Sequence, residues 1–302
     1  MGRVYACLAA ICNATIGIFS KLSFDANVDH VSLAFFRCFI AFCVLSIILI
    51  VEDRVKEIKD IRKYFKFIVV TSFFGVFILY YFEIWALTLS NIGSVSFLIY
   101  ASSTLTVIFG VFWLQESLNK RKMISVGLTL LGMYFMLSEL MFEQLNLKGG
   151  LLAIMAGIGY SLFLVLAKKF KLPGNLAVLW CFFGIGSIYL FIPYFFHGAI
   201  VPDVSAYSYI LALALIPTIG GFYFTSKALT LIEAGKVQIL EMSEPVFASV
   251  FALLFFYELL RPVEYLGAFF IVLGVFTLEQ TQFGSFLTRL IFKLRKKRDK
   301  TI

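Results

Sequence analysis

The sequence predicts an all-α polytopic membrane protein, in which ten transmembrane helices form two inverted five-helix repeats and both termini are cytoplasmic. Three observations predict this fold class: an apolar composition, positive charge concentrated on one side of the membrane, and a gapless internal repeat. Apolar residues make up 61% of the 302 residues and charged residues 15%, with a mean hydropathy of +0.95. Soluble domains contain about 45–50% apolar residues and about 25% charged residues. A large soluble protein with buried helices would need polar surface that this chain lacks.

Ten mostly apolar segments have the length needed to cross a hydrocarbon core about 30 Å thick. The first follows Arg3, but no small-x-small cleavage site precedes a polar region, so it is predicted to be a retained helix. The five cysteines lie inside the segments and are expected to behave as small apolar side chains. The predicted spans 1 to 10 lie at about 4–21, 31–51, 67–89, 92–114, 123–138, 149–168, 175–196, 207–231, 235–257 and 263–280.

Positive charge predicts the orientation, because lysine and arginine concentrate on the cytoplasmic side of membrane proteins. With the N-terminus inside, 21 of the 26 cations fall in inner segments, Lys21, Lys148 and Arg261 fall outside, and Arg37 and Lys227 lie within the spans. Both termini are therefore predicted to be cytoplasmic, in a multi-pass protein of the plasma (inner) membrane. The basic tail at 282–302 is expected to contact anionic lipid headgroups rather than nucleic acid.

An internal repeat relates residues 81–132 to 223–274 at a constant offset of 142, without a gap. The two segments begin "YFEIWALTLSNIGSVSFLIY" and "YFTSKALTLIEAGKVQILEM". Shared glycine and glutamate positions make a chance match of two apolar segments a poor explanation. The identities include Tyr81/Tyr223, Phe82/Phe224, Gly93/Gly235, Val95/Val237, Leu98/Leu240, Glu116/Glu258 and Gly132/Gly274.

The repeat must be inverted, because each copy contains five spans and an odd number reverses the entry side. The predicted domains are a first repeat at 1–144, a second at 145–281 and the tail at 282–302. The loop charges agree: Lys120-Arg121-Lys122 follows span 4, whereas Arg261-Pro262-Val263-Glu264 follows span 9 without a basic cluster. Inverted repeats are typical of secondary transporters, whose substrate site lies near the bilayer midplane between the halves.

Several motifs resemble those of the drug/metabolite transporter superfamily, specifically its EamA-type members. They are Gln115-Glu116 and Tyr257-Glu258 closing spans 4 and 9, Pro245-Val246, Arg37, and "LGAFFIVLGV" in span 10. The resemblance implies a cofactor-free secondary carrier of small polar metabolites, such as amino acids or amines, often an exporter that works by alternating access. The chain departs from the family pattern at Cys12-Asn13 in span 1, Ser103 in span 4 and Cys38 after Arg37.

Five charged residues are predicted to lie deep in the membrane: Arg37, Glu83, Lys227, Glu241 and Glu244. A charge at the bilayer centre costs about 2.5–3.5 kcal/mol, so each should face a cavity or a partner. Internal ion pairs are the alternative to substrate binding, and Glu83 has Arg37 as one candidate partner. Lys227 and Glu241 have no charged counterpart in the repeat, which favours a role in selectivity.

The helical period groups these charges with aromatic and polar residues. Tyr223, Lys227 and Thr230 share one face of span 8, and Tyr81, Trp85 and Thr88 form the matching face of span 3. Such symmetric faces could line one cavity, and Pro245 is expected to kink span 9 next to its carboxylates. Glu116 and Glu258, at helix ends, are expected to be structural. The predicted substrate-binding residues are Lys227, Glu241, Glu244, Trp85, Tyr81, Tyr223, Glu83, Arg37, Tyr100, Asn13 and Tyr160.

The resulting hypothesis is a carrier, monomeric or dimeric, for a small zwitterionic or cationic metabolite. Glu241 and Glu244 would bind its ammonium group or a coupling proton, and Lys227 or Arg37 its carboxylate; the aromatic residues would offer cation–π contacts. A membrane-embedded lipid or isoprenoid transferase is disfavoured, because the chain has two histidines, no HExxH motif and no mid-span aspartate for a metal. A channel is disfavoured because no filter-like segment is present.

Overall fold

The computed structural model describes residues 1–143, 146–256 and 261–278, which are helical and contain no strand. The ten helical segments are numbered here in chain order. They are α1 Gly2–Asp25, α2 His30–Val51, α3 Lys56–Leu89, α4 Ile92–Leu114, α5 Lys120–Glu143, α6 Leu147–Lys169, α7 Leu176–Phe196, α8 Val204–Leu231, α9 in two pieces at Ala234–Glu241 and Glu244–Phe256, and α10 Pro262–Leu278.

Seven of these helices are long and apolar enough to cross a membrane: α1 to α4 and α6 to α8. The other three predicted spans are helical as well, but they do not meet the same requirement within the described residues. The first turn of α5 carries Lys120, Arg121 and Lys122, α9 is divided into two pieces, and the described part of α10 is short. Tyr257-Glu258 and the basic tail lie outside the described residues.

The helices pack mainly across the boundary between the two predicted repeats. α1 packs against α8 and α9, and α6 packs against α3 and α4. α2 packs against α7, and α5 crosses α10, where the Ser125 hydroxyl donates to the carbonyl of Gly274 at 2.5 Å. Each half therefore gains much of its buried contact from the other half.

Glycines allow α5 and α10 to approach backbone to backbone. A Cβ added at Gly132 would lie 2.6 Å from the carbonyl oxygen of Gly267 and from the amide nitrogen of Ile271. At Gly274 it would lie 2.7 Å from Thr129 and 3.0 Å from the carbonyl oxygen of Ser125. Small residues at such crossings are typical of membrane helices, which associate by close packing rather than by a hydrophobic force.

Among the described residues, five helices depart from regular α geometry inside the bundle, and one of them, α4, is interrupted at Thr104. α3 and α8 each contain a π-helical stretch, Phe73–Tyr81 and Ala214–Gly221. In α8, Pro217 has no N–H for the carbonyl of Leu213, and the Thr218 hydroxyl donates to that carbonyl instead, at 2.8 Å. α1 is interrupted at Ala14-Thr15 and α9 at Met242-Ser243, next to Pro245 as predicted.

Candidate functional site

Two carboxylates flank the interruption of α9. Glu241 ends its first piece and Glu244 begins the second, where Pro245 has no N–H to donate to the carbonyl of Glu241 four residues earlier. The proline explains why the chain turns out of a regular helix here. The interruption places both carboxylates at one point of the bundle, facing tyrosines from α4 and α6.

Glu241 is fully buried, at 0% exposure, and both of its carboxylate oxygens accept hydrogen bonds from hydroxyls. The Tyr160 hydroxyl on α6 donates to Oε2, and the Thr225 hydroxyl on α8 donates to Oε1 at 2.6 Å. Hydrogen bonds to an ionised group are stronger than neutral ones. The carboxylate of Glu241 thus joins three helices of the second half, α6, α8 and α9. Both of its hydrogen-bond donors among the described residues are hydroxyls.

Glu244 is only partly buried and accepts a hydrogen bond from the Tyr100 hydroxyl on α4. It also interacts electrostatically with Glu83, Glu241 and Arg37, which places the predicted intramembrane acids in one region. Because Glu244 pairs with a residue of the first half and Glu241 with residues of the second, the two carboxylates lie at the interface between the halves. The structure thus brings together Glu241, Glu244, Tyr100 and Tyr160.

Arg37 and Glu83 form a buried ion pair between α2 and α3, the pairing that the sequence offered as one possibility. The Arg37 side chain is 1% exposed; its Nη1 lies 3.3 Å from Oε2 of Glu83. Its Nε donates to the Thr218 hydroxyl at 2.7 Å, and its guanidinium lies 3.8 Å from the centroid of the Tyr80 ring. Arg37 therefore ties α2 and α3 to the π-helical stretch of α8.

The matching faces of α3 and α8 have different neighbours. Trp85 stacks on His30, lies under the ammonium of Lys148 at 4.5 Å, and contacts Tyr81 edge-on. Lys227 lies 5.4 Å from the centroid of the Tyr223 ring, so these described contacts do not join the two faces in one cavity.

Asn13, at the interruption of α1, packs against Gly221 of α8, where its Oδ1 would lie 2.2 Å from an added Cβ. A side chain at position 221 would therefore displace the amide. The contact ties the predicted site residue of α1 to the π-helical stretch of α8, the stretch that also receives Arg37.

A charged network, buried at Glu116 and Lys122, lies at the end of the bundle that carries the basic loops. We call Glu116, Lys122, Lys168 and Glu233 the basic-end network. Glu116 accepts from the backbone N–H groups of Ala234 at 2.6 Å and Gly235 at 3.1 Å, which caps the start of α9. Lys122, 1% exposed, bridges Glu116 at 3.1 Å and Glu233 at 3.2 Å.

Lys168 completes this network by capping the end of α8. Its ammonium donates to the carbonyls of Leu229 at 2.7 Å and Ile232 at 2.6 Å. Burial acts to raise the pKa of Glu233, yet hydrogen bonds from Lys236 and Lys122 outweigh it and hold the pKa of that carboxyl below its usual value. Helices of both halves are therefore joined by charge at this end.

Sequence reasoning missed three polar groups of these clusters: Thr225, Gln238 as the partner of Ser103, and Lys122. The Gln238 amide donates to the Ser103 hydroxyl at 2.6 Å, next to the carboxylates. Threonine is common in apolar helices, so Thr225 carries no signal of its own. In the sequence, Lys122 is one of three consecutive basic residues of a predicted inner loop. Glu116, six residues earlier, is the one sign that Lys122 has an acidic partner.

Together, the buried charged residues and the helices long and apolar enough to cross a membrane define a polytopic membrane protein. The model of the EamA-like transporter family matches this chain twice, at residues 1–138 and 147–279. The chain belongs to that family.

The chain is also similar to a curated protein in sequence and to a solved structure in fold. The chain is 26% identical over 187 residues to "Uncharacterized transporter YetK" of Bacillus subtilis (strain 168), a match covering 58% of this chain and 57% of that protein. A solved structure titled "Crystal structure of protein" has the same fold, with a TM-score of 0.76 and 17% identity, over 91% of this chain and 95% of that one.

Proposed function

We propose that this transporter is a secondary active carrier of small zwitterionic or cationic metabolites, working as an exporter by alternating access between two inverted five-helix halves. The observation that carries the proposal is the pair Glu241 and Glu244 at the interruption of α9. Their hydrogen-bond donors among the described residues are hydroxyls. A buried carboxylate without a bonded cation is costly, so the pair is suited to receive the ammonium group of a substrate or a coupling proton.

Matching helix ends support the inverted repeat. α3 ends at Leu89 and α8 at Leu231, α4 begins at Ile92 and α9 at Ala234, and both pairs differ by 142. The π-helical stretches of α3 and α8 lie at nearly the same offset. Adding 142 to Ser125 and Thr129, the neighbours of Gly274, gives Gly267 and Ile271, the neighbours of Gly132. The α5–α10 crossing thus has the reciprocal contacts that a two-fold axis requires.

The basic-end network supports alternating access. Glu116, in the loop after α4, and Lys122 on α5 belong to the first half, whereas Glu233 and the α9 amides belong to the second. A substrate could leave through this end only if these contacts separated. The described arrangement is therefore closed at its basic end, which is the cytoplasmic end in the predicted orientation.

Counterflow tests the proposed function. Thermal-shift screening of the purified protein against amino acids, amines and nucleotides should identify ligands, because a ligand that binds only the folded state raises the unfolding temperature. Proteoliposomes preloaded with a stabilising amino acid or amine should then accumulate the labelled compound transiently and saturably. Flux without counterflow would indicate a channel and contradict the carrier mechanism, and stabilisation by nucleotides alone would contradict the substrate class.

Replacing Glu116 with glutamine should open the basic end. The neutral amide weakens the bonds to Lys122 and to the α9 amides; hydrogen bonds to charged groups contribute about 1.5–3 kcal/mol, so closure should weaken by about tenfold or more. Val237, fully buried on the second turn of α9, provides the probe as Val237→Cys. The rate at which an impermeant maleimide modifies that cysteine from the basic side should rise correspondingly.

The matched control is Glu52→Gln, which removes an exposed carboxylate at the same end of the bundle. Protein retaining Val237 measures the background from the five native cysteines. Equal modification rates in the Glu116→Gln and Glu52→Gln backgrounds would show that Glu116 does not hold the basic end closed.

A further inference from the structure

A cavity of about 430 Å³ lies between α6, α7 and α8, apart from the carboxylate pair. Its volume falls in the range of about 300–1,000 Å³ that ligand pockets occupy. Phe163, Leu179 and Phe182 line it and are buried, whereas Lys171 and Thr230 line it and are exposed. The cavity therefore has an apolar interior and a polar mouth.

The mouth carries two cations. Lys168 gives two of its three N–H groups to the carbonyls of Leu229 and Ile232 within the described residues, which leaves one for a ligand. Lys171 follows the last turn of α6 with a positive φ of 50°, where its N–H donates to Lys168 and the next N–H, of Leu172, to Ala167. Glycine is the usual residue at this position of a helix end, and Lys171 places an ammonium group there instead.

The surroundings limit what could enter. α6, α7 and α8 are membrane-spanning helices, and the cavity lies at the end of the bundle that carries the basic loops. Anionic phospholipids concentrate in the cytoplasmic leaflet and attract lysines at its surface. A phospholipid offers an anionic phosphate for the mouth and an acyl chain for the interior, and thereby matches both parts of the cavity.

We propose that this cavity binds one anionic phospholipid, with its phosphate between Lys168 and Lys171 and an acyl chain against Phe163, Leu179 and Phe182. The occupied site would adjoin the transport site. Phe163 stacks on Tyr160 at 6.0 Å between ring centroids, and the Tyr160 hydroxyl donates to Glu241. The proposal concerns binding and does not depend on which substrate the carrier moves.

Native mass spectrometry of the full chain with phosphatidylglycerol or phosphatidylcholine of identical acyl chains tests the proposed lipid site. We expect one phosphatidylglycerol to bind more tightly than phosphatidylcholine, and Lys171→Gly to lower its affinity about fivefold. Glycine adopts the left-handed backbone at this position without strain, so this variant removes the ammonium without harming the fold. Ala167→Phe places a larger side chain in the cavity from its buried wall, and this variant should abolish the preference for phosphatidylglycerol over phosphatidylcholine.

Lys169→Gln is the matched control, because Lys169 is the neighbouring exposed cation and lies against Trp113 instead of the cavity. It should leave the affinity unchanged. An equal loss in both lysine variants would assign the effect to general surface charge and overturn the proposal. Equal binding of the two lipids would also overturn the proposal. Displacement of the phosphatidylglycerol by inorganic phosphate would overturn it too, because it would indicate a site for the phosphate alone.

Discussion

Glu241→Gln is expected to lower the counterflow rate of the carrier by about 10- to 100-fold while the protein remains folded. The glutamine keeps the shape of the side chain and can still bond Tyr160 and Thr225, but it carries no negative charge for an ammonium group or a proton. Hydrogen bonds to charged groups are worth about 1.5–3 kcal/mol, which corresponds to this loss. Counterflow in proteoliposomes measures the transport rate. Thermal unfolding of the same preparations measures whether the protein remains folded.

Two further variants separate the charge from its hydrogen bonds. Tyr160→Phe removes one hydroxyl donor from Glu241 but leaves the carboxylate, and should lower the rate by about tenfold or less. Glu264→Gln alters a half-buried carboxylate in the first turn of α10 that accepts from the backbone N–H of Arg261, and it should leave the counterflow rate unchanged. Unchanged transport in Glu241→Gln would remove Glu241 from the site and, with it, the main support for the proposed substrate class.

Arg37→Met is expected to destabilise the folded protein by about 3–5 kcal/mol, the usual cost of leaving one partner of a buried ion pair without the other. Glu83 would keep its charge among α2, α3 and α8 without the guanidinium that now lies 3.3 Å away. The hydrogen bond to Thr218 would also be lost. Denaturant or thermal unfolding in detergent measures the change.

The double variant Arg37→Met/Glu83→Leu should recover most of this stability, because replacing both members of a buried pair with apolar residues is often neutral. Arg54→Met is the surface comparison: Arg54 pairs with Glu52 and Glu57 at about one-third exposure, and its loss should cost about 1 kcal/mol or less. A double variant that folds but no longer transports would show that the Arg37–Glu83 pair serves transport as well as stability. A single variant as stable as the wild type would contradict the structural role.

The sequence located charged side chains inside the bundle where one residue type has few alternatives in a membrane, and their part in substrate binding stays a prediction. A charge in an apolar helix needs a partner, so Arg37, Glu83, Glu241 and Glu244 could be found without coordinates. It also found Pro245 beside the carboxylates. It could not find Thr225, because a hydroxyl becomes informative only when its acceptor is known.

The two matching aromatic faces show the limit of symmetry arguments. Tyr81 and Trp85 occupy the same repeat positions as Tyr223 and Lys227, and the sequence therefore predicts one shared cavity. In the structure, Trp85 lies near the end of α3 beside His30 and Lys148, and Lys227 lies near the end of α8. Residues related by an axis in the membrane plane lie at opposite depths unless they are close to that axis.

The sequence by itself determined the membrane class, the family and the positions of helix ends that differ by 142, because hydrophobic length, charge placement and repeat spacing are properties of the chain. Only the tertiary structure decided which buried charges pair with each other and which face hydroxyls. Arg37 and Glu83 are 46 residues apart, and Tyr160 and Glu241 are 81 apart. Each such pairing depends on how one helix packs against another. The order of residues along the chain does not give the distance between side chains on two different helices.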